Sequence, residues 1–345
     1  MPQVADLWHS PLNDFKMIVI HASLDDAHAD AVANCLHELE AKVFVARREQ
    51  CFVDWSIDCH DDEVSITNVD GCWKSKDISA VLWRRDYIVE PAWVQWKDIT
   101  PQVKDFLAEQ RSIHVDSAFK RLASSCGFIN DLDANRRCSS KALQHHVARQ
   151  CGLNVPKTYV GSDRTQAEQF VRHLWSDGRK CCTKNIESTH VEIDGVKHAR
   201  LTKMFHESNL PDLSGLAACP MFFQEYIEKQ FEYRVTIVGQ DVFVCRIDSQ
   251  AAGGETAVDW RNYNIPSTPH YADTLGTTLN GKLVQLVERL GLTYGAIDLV
   301  ENPQGEFFFL EINSMGQWLW IEDLTELPIS MSIARHLASP QLIRR

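Results

Sequence analysis

Residues Tyr294–Asn313 read YGAIDLVENPQGEFFFLEIN, and this stretch decides how the rest of the chain is interpreted. Two apolar segments, Gly295–Val300 and Glu306–Asn313, are separated by Asn302–Gly305, which is rich in residues that favour a turn. The pattern is typical of two antiparallel strands joined as a hairpin. The sequence therefore predicts a hairpin whose second strand ends in polar residues.

Three polar residues of this hairpin are candidate metal ligands. A symmetric turn would place Asp298 opposite Phe309. Glu311 and Asn313 would follow on the same face, because every second residue of a strand shares a face. Two carboxylates and one amide oxygen then form the all-oxygen set that Mg²⁺ takes when phosphates and water complete its shell. The alternative is an edge hairpin with solvated acids. The apolar run Phe307–Leu310 argues against it, since unpaired buried carboxylates are costly.

The segment before residue 120 reads as an α/β layer. It opens with a β-α-β pattern and continues with further strands and one helix. The predicted strands are 16–23, 42–47, 63–69, 80–85 and 112–116, and the predicted helices are 25–41 and 101–110. Because His21–Leu24 stand where a dinucleotide fingerprint would place its glycines, this layer is not expected to be a nucleotide site of its own.

The middle of the chain alternates between helices and hairpins. A helix is predicted over Ala134–Cys151, where apolar residues share one stripe and Gly152 follows the last of them. Asp194–Gly195 predicts the turn of one hairpin, and Gly239–Gln240 that of a second. Leu279–Leu290 predicts a later helix with one apolar face.

Composition limits the classes of function. The 345 residues are 44% hydrophobic and carry a net charge of −12, so the chain should fold and should bind neither nucleic acid nor an anionic membrane. The 11 cysteines include no CxxC pair, which favours reduced, buried thiols over a zinc site. The start of the chain does not read as a signal peptide, and no apolar run has the length of a membrane span. We expect a cytoplasmic protein.

The hairpin resembles the metal-binding end of the ATP-grasp ligases. The resemblance extends back to Met221–Arg234, MFFQEYIEKQFEYR, which is similar to the family's hinge strand. There it implies that the backbone of Glu225, Tyr226 and Ile227 binds the adenine edge and that Glu232 binds the ribose hydroxyls.

Two lysines fit the same resemblance. Lys184 in KCCTKNI is similar to the strand lysine that reaches the nucleotide phosphates, and Lys141 to an earlier lysine that joins it. Each of them alone would be an ordinary solvated cation. Their order before the hinge and the hairpin favours the role in phosphate binding.

Three short motifs narrow the resemblance to the graspetide, or microviridin-type, peptide synthetases. They are LWRR at Leu82–Arg85, DWR at Asp259–Arg261 and NSMGQWLWIE at Asn313–Glu322. One departure is Ser314–Gly316, which stands where the family has small residues and proline.

The resemblance implies an ATP-grasp fold of α/β class with three parts. These are an N-terminal α/β pre-ATP-grasp domain at 1–120, a central lid-like domain at 121–225 and a C-terminal domain at 226–345 that carries the metal hairpin. A lid is expected at Ile186–Arg200. Homodimerisation is also expected.

The implied chemistry is carboxylate activation with ATP and Mg²⁺ as cofactors. Arg246 would stabilise an acyl phosphate, while Arg261 and Arg234 would grip the acceptor carboxylate. The implied substrate is a precursor peptide, with a leader and a core, whose Asp or Glu side chain is joined to Ser, Thr or Lys. Two alternatives are a ligase acting on a small amino acid or a protein tail, and a catalytically silent nucleotide-binding protein.

Overall fold

A computed structural model describes residues 16–84, 99–186, 190–193, 196–199, 202–205, 213–252 and 268–339 of the protein. The chain divides into two compact units, residues 1–132 with 330–345 and residues 133–329. Most of the expected central and C-terminal domains fall in the second unit. The division into three domains stays a prediction.

The first unit contains a four-stranded parallel sheet in the order β2-β1-β6-β7 and a three-stranded antiparallel sheet in the order β3-β4-β5. The elements are β1 (Met17–Ala22), α1 (Ala27–Glu38), β2 (Val43–Arg47), β3 (Trp55–His60), β4 (Glu63–Asn68), β5 (Gly71–Lys74), β6 (Ile78–Trp83), α2 (Pro101–Leu122) and β7 (Gly127–Ile129). Strand β1 is buried along nearly its whole length, as expected for a parallel strand that is covered on both faces.

The strand predicted over Ser112–Asp116 is wrong, because these residues lie inside α2. Thr100 caps the helix with its side chain, and Pro101 follows in the first turn. N–H groups of the first turn have no partner within the helix, so the proline removes no helical hydrogen bond. Val115, Phe119 and Leu122 are buried at helical spacing, so tertiary packing overrides the β-branched residues of this stretch.

The second unit contains two larger antiparallel sheets. Their orders are β12-β9-β13-β8 and β16-β15-β14-β17-β18, and β10 and β11 pair separately. The elements are α3 (Leu132–Cys138), α4 (Lys141–Gln150), β8 (Thr158–Gly161), α5 (Arg164–Ser176), β9 (Lys180–Lys184), β10 (His190–Ile193), β11 (Val196–Ala199), β12 (Lys203–Phe205), β13 (Met221–Tyr226), β14 (Phe231–Val238), β15 (Asp241–Ile247), α6 (Ser249–Ala252), β16 (His270–Asp273), α7 (Thr277–Arg289), β17 (Tyr294–Glu301), β18 (Phe307–Asn313) and α8 (Leu319–Thr325). A last helix, α9 (Ile329–Ala338), belongs to the first unit from residue 330 onward.

The predicted hairpins are present as pairs of antiparallel strands. Strands β14 and β15 pair on either side of Gly239–Gln240, and Gly239 has a φ of 59° that suits a tight turn. Strands β10 and β11 pair on either side of Asp194–Gly195, which lie outside the described residues.

The single helix predicted over Ala134–Cys151 is two helices, α3 and α4. The break falls at Ser139 and Ser140, and the Ser140 side chain accepts a hydrogen bond from the backbone N–H of Leu143. The first N–H groups of a helix have no partner within the helix, and the Ser140 side chain accepts a hydrogen bond from one of them. The break makes Lys141 the first residue of α4.

The five-stranded sheet packs one face against α4 and α7 in an apolar core. Tyr233, Val235 and Ile237 of β14 belong to that core. Since strand residues alternate between faces, Glu232 and Arg234 lie on the opposite face. This second face carries the candidate site.

The eleven cysteines are all free, and most of them are buried, in line with the prediction from their spacing. Within the described ranges, no helix combines the length and the apolar character of a membrane span.

Candidate active site

The polar end of the β17–β18 hairpin contains a bulge. Asp298 lies directly opposite Glu311, and Ala296 lies opposite Asn313, while Leu299 pairs with Phe309. The register shifts between Asp298 and Leu299, so one residue of β18, Leu310, is extra.

The predicted register, with Asp298 opposite Phe309, is therefore wrong. The connection runs over Asn302–Glu306, closed by a 3.0 Å hydrogen bond from the Asn302 N–H to the Glu306 carbonyl, and it is one residue longer than the predicted turn. Without the bulge, this longer connection would set Asp298 opposite Leu310 and turn Glu311 to the other face. The bulge restores the predicted result, in which Asp298 and Glu311 share a face.

Each of the two carboxylates contacts a cation. The Arg234 guanidinium lies 3.1 Å from the Asp298 carboxylate, and the Lys141 ammonium lies 3.1 Å from that of Glu311. Lys141 also donates a 3.4 Å hydrogen bond to the carbonyl of Asn185, next to the end of β9. All four paired side chains are less than one-fifth exposed. Removing one member of either pair would therefore leave its partner as a poorly solvated charge.

Asn313 extends this set on the same face. Its side-chain oxygen accepts a 2.9 Å hydrogen bond from the N–H of Met315, which shapes the Ser314–Gly316 loop as a tight turn. Gly316 fits because a Cβ added there would lie 2.4 Å from the Cβ of Ala296. The sequence departs from the family pattern at this loop, and a glycine allows the close approach.

The donor set fits Mg²⁺. No group of three His, Cys, Asp or Glu side chains in the described ranges could enclose a metal ion. Asp298 and Glu311 oppose each other, and the Asn313 oxygen lies on their face. Two carboxylates and an amide make an open oxygen set, which suits an ion that keeps waters and phosphate oxygens as its other ligands.

A cleft adjoins the carboxylates. It lies between the two large sheets of the second unit. Seven of the predicted site residues line it, namely Lys184, Glu225, Tyr226, Ile227, Glu232, Asp298 and Glu311. The remaining lining residues are Cys182, Thr202, Gln224, Lys229, Val300 and Leu310.

Contacts from two neighbouring residues hold the Glu225 side chain at the end of β13, beside the cleft. Arg179 donates to the Glu225 carboxylate at 2.6 Å, and the backbone N–H of Lys157 does so at 3.2 Å. Strand β13 ends at Tyr226, so Ile227 lies just beyond the strand ladder. Burial, followed by the Glu232 charge, raises the pKa of Tyr226 to about 12, so its hydroxyl stays neutral.

Glu232 belongs to a small buried network. Its carboxylate accepts hydrogen bonds from the Lys229 ammonium at 2.9 Å and from the Ser249 hydroxyl at 2.8 Å. Neither Lys229 nor Ser249 is among the site residues predicted from the sequence. The three-residue spacing between Lys229 and Glu232 could have indicated the first, whereas Ser249 is brought in only by the β14–β15 hairpin.

Lys184 ends β9 and is half-buried at the rim of the cleft. No carboxylate of the described residues forms an ion pair with its ammonium. Among the described residues, no acid neutralises this cation at the cleft.

The structure does not bring Arg246 to the carboxylates. Arg246 lies opposite Tyr233 in the β14–β15 ladder, whereas Arg234 lies opposite Cys245, so the two arginines occupy opposite faces of the sheet. Arg246 is instead 3.2 Å from the Asp273 carboxylate, with its guanidinium over the ring of Tyr271.

The family-specific motifs are divided between described and undescribed parts of the chain. Arg261 and the rest of DWR lie outside the described residues, as does Arg85 of LWRR. Arg84 forms a buried ion pair with Asp26 at 3.2 Å. In the GQWLWIE run, Trp318 is buried with its ring 5.3 Å from that of Tyr294, so this residue has a packing role at the start of β17.

Comparisons with known proteins agree with the fold. No family model and no curated protein matches the chain. A RiPP-associated ATP-grasp ligase from Chryseobacterium gregarium, solved with ADP and a leader and core peptide, is 25% identical with a TM-score of 0.86, over 96% of this chain and 99% of that one. The macrocyclase MdnC from Microcystis aeruginosa MRC, solved with precursor peptide MdnA, is 25% identical with a TM-score of 0.79, over 94% and 99%.

A third solved structure shares the fold alone. D-cycloserine synthetase DcsG is 15% identical with a TM-score of 0.56, over 94% of this chain and 99% of that one. The resemblance read from the sequence is confirmed: the chain has the ATP-grasp fold and is similar along nearly its whole length to RiPP-associated ATP-grasp ligases.

Proposed function

We propose that the protein uses ATP to activate an Asp or Glu side chain of a ribosomal precursor peptide and closes an ω-ester or ω-amide ring. The observation that carries the proposal is the opposed pair Asp298 and Glu311 beside a cleft lined by the hinge residues and Lys184. The likeness to a RiPP-associated ligase and to a macrocyclase, both solved with peptide, supports the substrate class.

The nucleotide would lie in the cleft with its base at the end of β13. The backbone of Tyr226 and Ile227 would bind the adenine edge, and the Glu232 carboxylate would accept hydrogen bonds from the ribose hydroxyls. Lys229 and Ser249 hold Glu232 in place before the nucleotide arrives. This arrangement limits the entropy lost on binding.

The phosphates would lie towards the carboxylates. Lys184 and Lys141 would contact phosphate oxygens, and Arg234 would hold the acceptor carboxylate near Asp298. Asp298, Glu311 and Asn313 would hold Mg²⁺, which when bound offsets the negative charge that develops during phosphoryl transfer.

The proposed chemistry has two steps. A carboxylate oxygen of the peptide attacks the γ-phosphorus of ATP, which releases ADP and leaves an acyl phosphate on the peptide. A hydroxyl or amine of the same peptide then attacks the acyl carbon, and phosphate leaves with the loss of one proton. The net loss from the peptide is one water per ring. Arg261 stays a predicted carboxylate ligand, while Arg246 is not part of the proposed site.

The test is incubation with ATP, Mg²⁺ and a small precursor peptide encoded near the gene. Loss of one water per ring, together with ADP, supports the proposal. ADP released with another carboxylate acceptor, but no dehydrated peptide, would favour the ligase of a small amino acid or protein tail. Absence of ADP under all conditions would favour the silent nucleotide-binding protein.

Two variants of one hairpin make the test specific to the site. Glu311→Gln removes a predicted metal ligand and should lower the rate at least about 100-fold. Glu306→Gln makes the same substitution at the exposed turn, where Asn302 is the one described residue that donates to the carboxylate, and should keep activity within about two-fold. Equal rates for the two variants would contradict the metal assignment. Cytoplasmic location, homodimerisation and leader docking remain predictions.

A further inference from the structure

Strand β18 lies at the edge of the five-stranded sheet, and among the described residues no further strand pairs with its outer side, where Asn154 forms a single bridge with Phe308. Backbone groups at a strand edge need other partners when they are buried. Side chains of α4 take this place along the part of the strand that contains the bulge. The contacts of this helix with β18 therefore bear directly on the position of Glu311.

Gln144 pairs with the edge of β18 as a strand would. Its side-chain oxygen accepts a 3.0 Å hydrogen bond from the Ile312 N–H, and its side-chain nitrogen donates to the Ile312 carbonyl at 2.9 Å. The same nitrogen donates to the carbonyl of Cys138 at 2.6 Å. Gln144 is only 3% exposed. Ile312 lies between Glu311 and Asn313, so this amide fixes the backbone between two predicted metal ligands.

His145 holds the extra residue of the bulge. Its Nε2 lies 2.9 Å from the carbonyl oxygen of Leu310, and its ring packs between Phe222 and Phe309. Burial lowers the pKa of His145 to about 4, so the ring is neutral near pH 7. A neutral ring can bond to a carbonyl only through its N–H, so Nε2 carries the proton.

We propose that Gln144 and His145 are positioning residues, which hold the β18 bulge in place and thereby keep Glu311 opposite Asp298. The inference rests on the proposed function, since it gives Glu311 a role at the metal. A ladder without the bulge would turn Glu311 to the other face, away from Asp298 and the cleft. The same helix supplies Lys141 to the Glu311 carboxylate, so one element fixes both its backbone and its charge partner.

The experiment measures metal binding without turnover. Mn²⁺ replaces Mg²⁺, and its dissociation constant is measured by electron paramagnetic resonance with the full-length protein and saturating ADP. Gln144→Met keeps the side-chain volume but removes the amide, and His145→Phe keeps the aromatic ring but removes the N–H. Each should weaken Mn²⁺ binding by about 10- to 100-fold, the usual effect of losing a group that orients a metal ligand.

Three further variants separate positioning from general stability. His145→Gln keeps an N–H donor at about the same reach and should restore the dissociation constant to within about three-fold, whereas the shorter His145→Asn should not. Asn154→Ala is the matched control, because Asn154 donates to the Phe307 carbonyl at 3.2 Å on the same strand edge, beyond the bulge. It should leave Mn²⁺ binding unchanged. Hydrogen exchange of the Ile312 amide should accelerate at least about ten-fold in Gln144→Met relative to Asn154→Ala.

The outcomes distinguish failure of the positioning role from failure of the metal assignment. If Gln144→Met and His145→Phe bind Mn²⁺ as Asn154→Ala does, while Glu311→Gln does not bind it, the positioning role is overturned and the metal site stands. If Glu311→Gln also binds Mn²⁺ normally, the metal assignment itself fails. If His145→Phe does not fold, the contrast between His145→Gln and His145→Asn decides, and equal binding by these two overturns the role.

Discussion

Replacing Arg234 with methionine should destabilise the second unit strongly, because it leaves the Asp298 carboxylate without its nearest cation. The two side chains are 10% and 12% exposed, and the guanidinium lies 3.1 Å from the carboxylate. Methionine fills most of the volume but carries no charge. A buried ion pair that loses one partner costs about 3 kcal/mol or more, mainly because the remaining charge stays poorly solvated.

This loss would be visible in two measurements. The free energy of unfolding in urea should fall by about 3 kcal/mol. For a unit of this size, each kcal/mol lowers the melting temperature by roughly 2 to 4 °C, so a decrease of about 6 to 12 °C is expected. If Mg²⁺ binds Asp298, adding Mg²⁺ and ADP should raise the melting temperature of Arg234→Met more than that of the wild type, because the ion replaces the missing charge.

The matched control is Arg164→Met on α5. Arg164 also contacts a carboxylate, that of Glu168 at 2.8 Å, but its side chain is 62% exposed. Solvent screens such a pair, so the change should stay within about 0.5 kcal/mol. A loss in Arg234→Met no larger than in Arg164→Met would refute the view that Asp298 depends on a desolvated ion pair.

Two further predictions concern residues near the hairpin. Since burial lowers the pKa of His145 from 6.5 to about 4, the unfolded chain binds more protons between these values and stability falls as the pH drops through this window. Up to about 3 kcal/mol of this loss should disappear in His145→Gln and persist in His146→Gln, as measured by urea unfolding across the pH range. Gly316→Ala, whose Cβ would lie 2.4 Å from that of Ala296, should cost about 1 to 3 kcal/mol of unfolding free energy. Gly215→Ala, where a Cβ meets nothing within 4 Å, should cost less than about 1 kcal/mol, and equal effects would count against the steric argument.

The sequence predicted those features that depend on short-range patterns. The β17–β18 hairpin follows from two apolar strands and a turn sequence, and the hinge strand is implied by the resemblance of Met221–Arg234 to that of the ATP-grasp ligases. Residues of both segments line one cleft. Period-two alternation and turn residues act over a few positions, so one sequence can reveal them.

The sequence failed where neighbours distant in the chain decide the outcome. Ser112–Asp116 has the composition of a strand, but the buried side of α2 holds it in a helix. Arg246 occupies a strand next to the site, yet the pairing register with Tyr233 turns it to the other face of the sheet. Neither result can be read from local propensity, because packing and register are set by the partner elements.

The sequence by itself predicted a candidate site, with Asp298, Glu311 and Asn313 in one hairpin and a lysine-bearing strand before the segment that resembles a hinge. Tertiary structure decided how the carboxylates meet. The longer turn alone would separate Asp298 from Glu311, and the bulge at Leu310, held against α4, brings them together. The physical reason is that a strand has a period of two residues, so one extra residue reverses every side chain beyond it, and only contacts from outside the strand can fix where that residue falls.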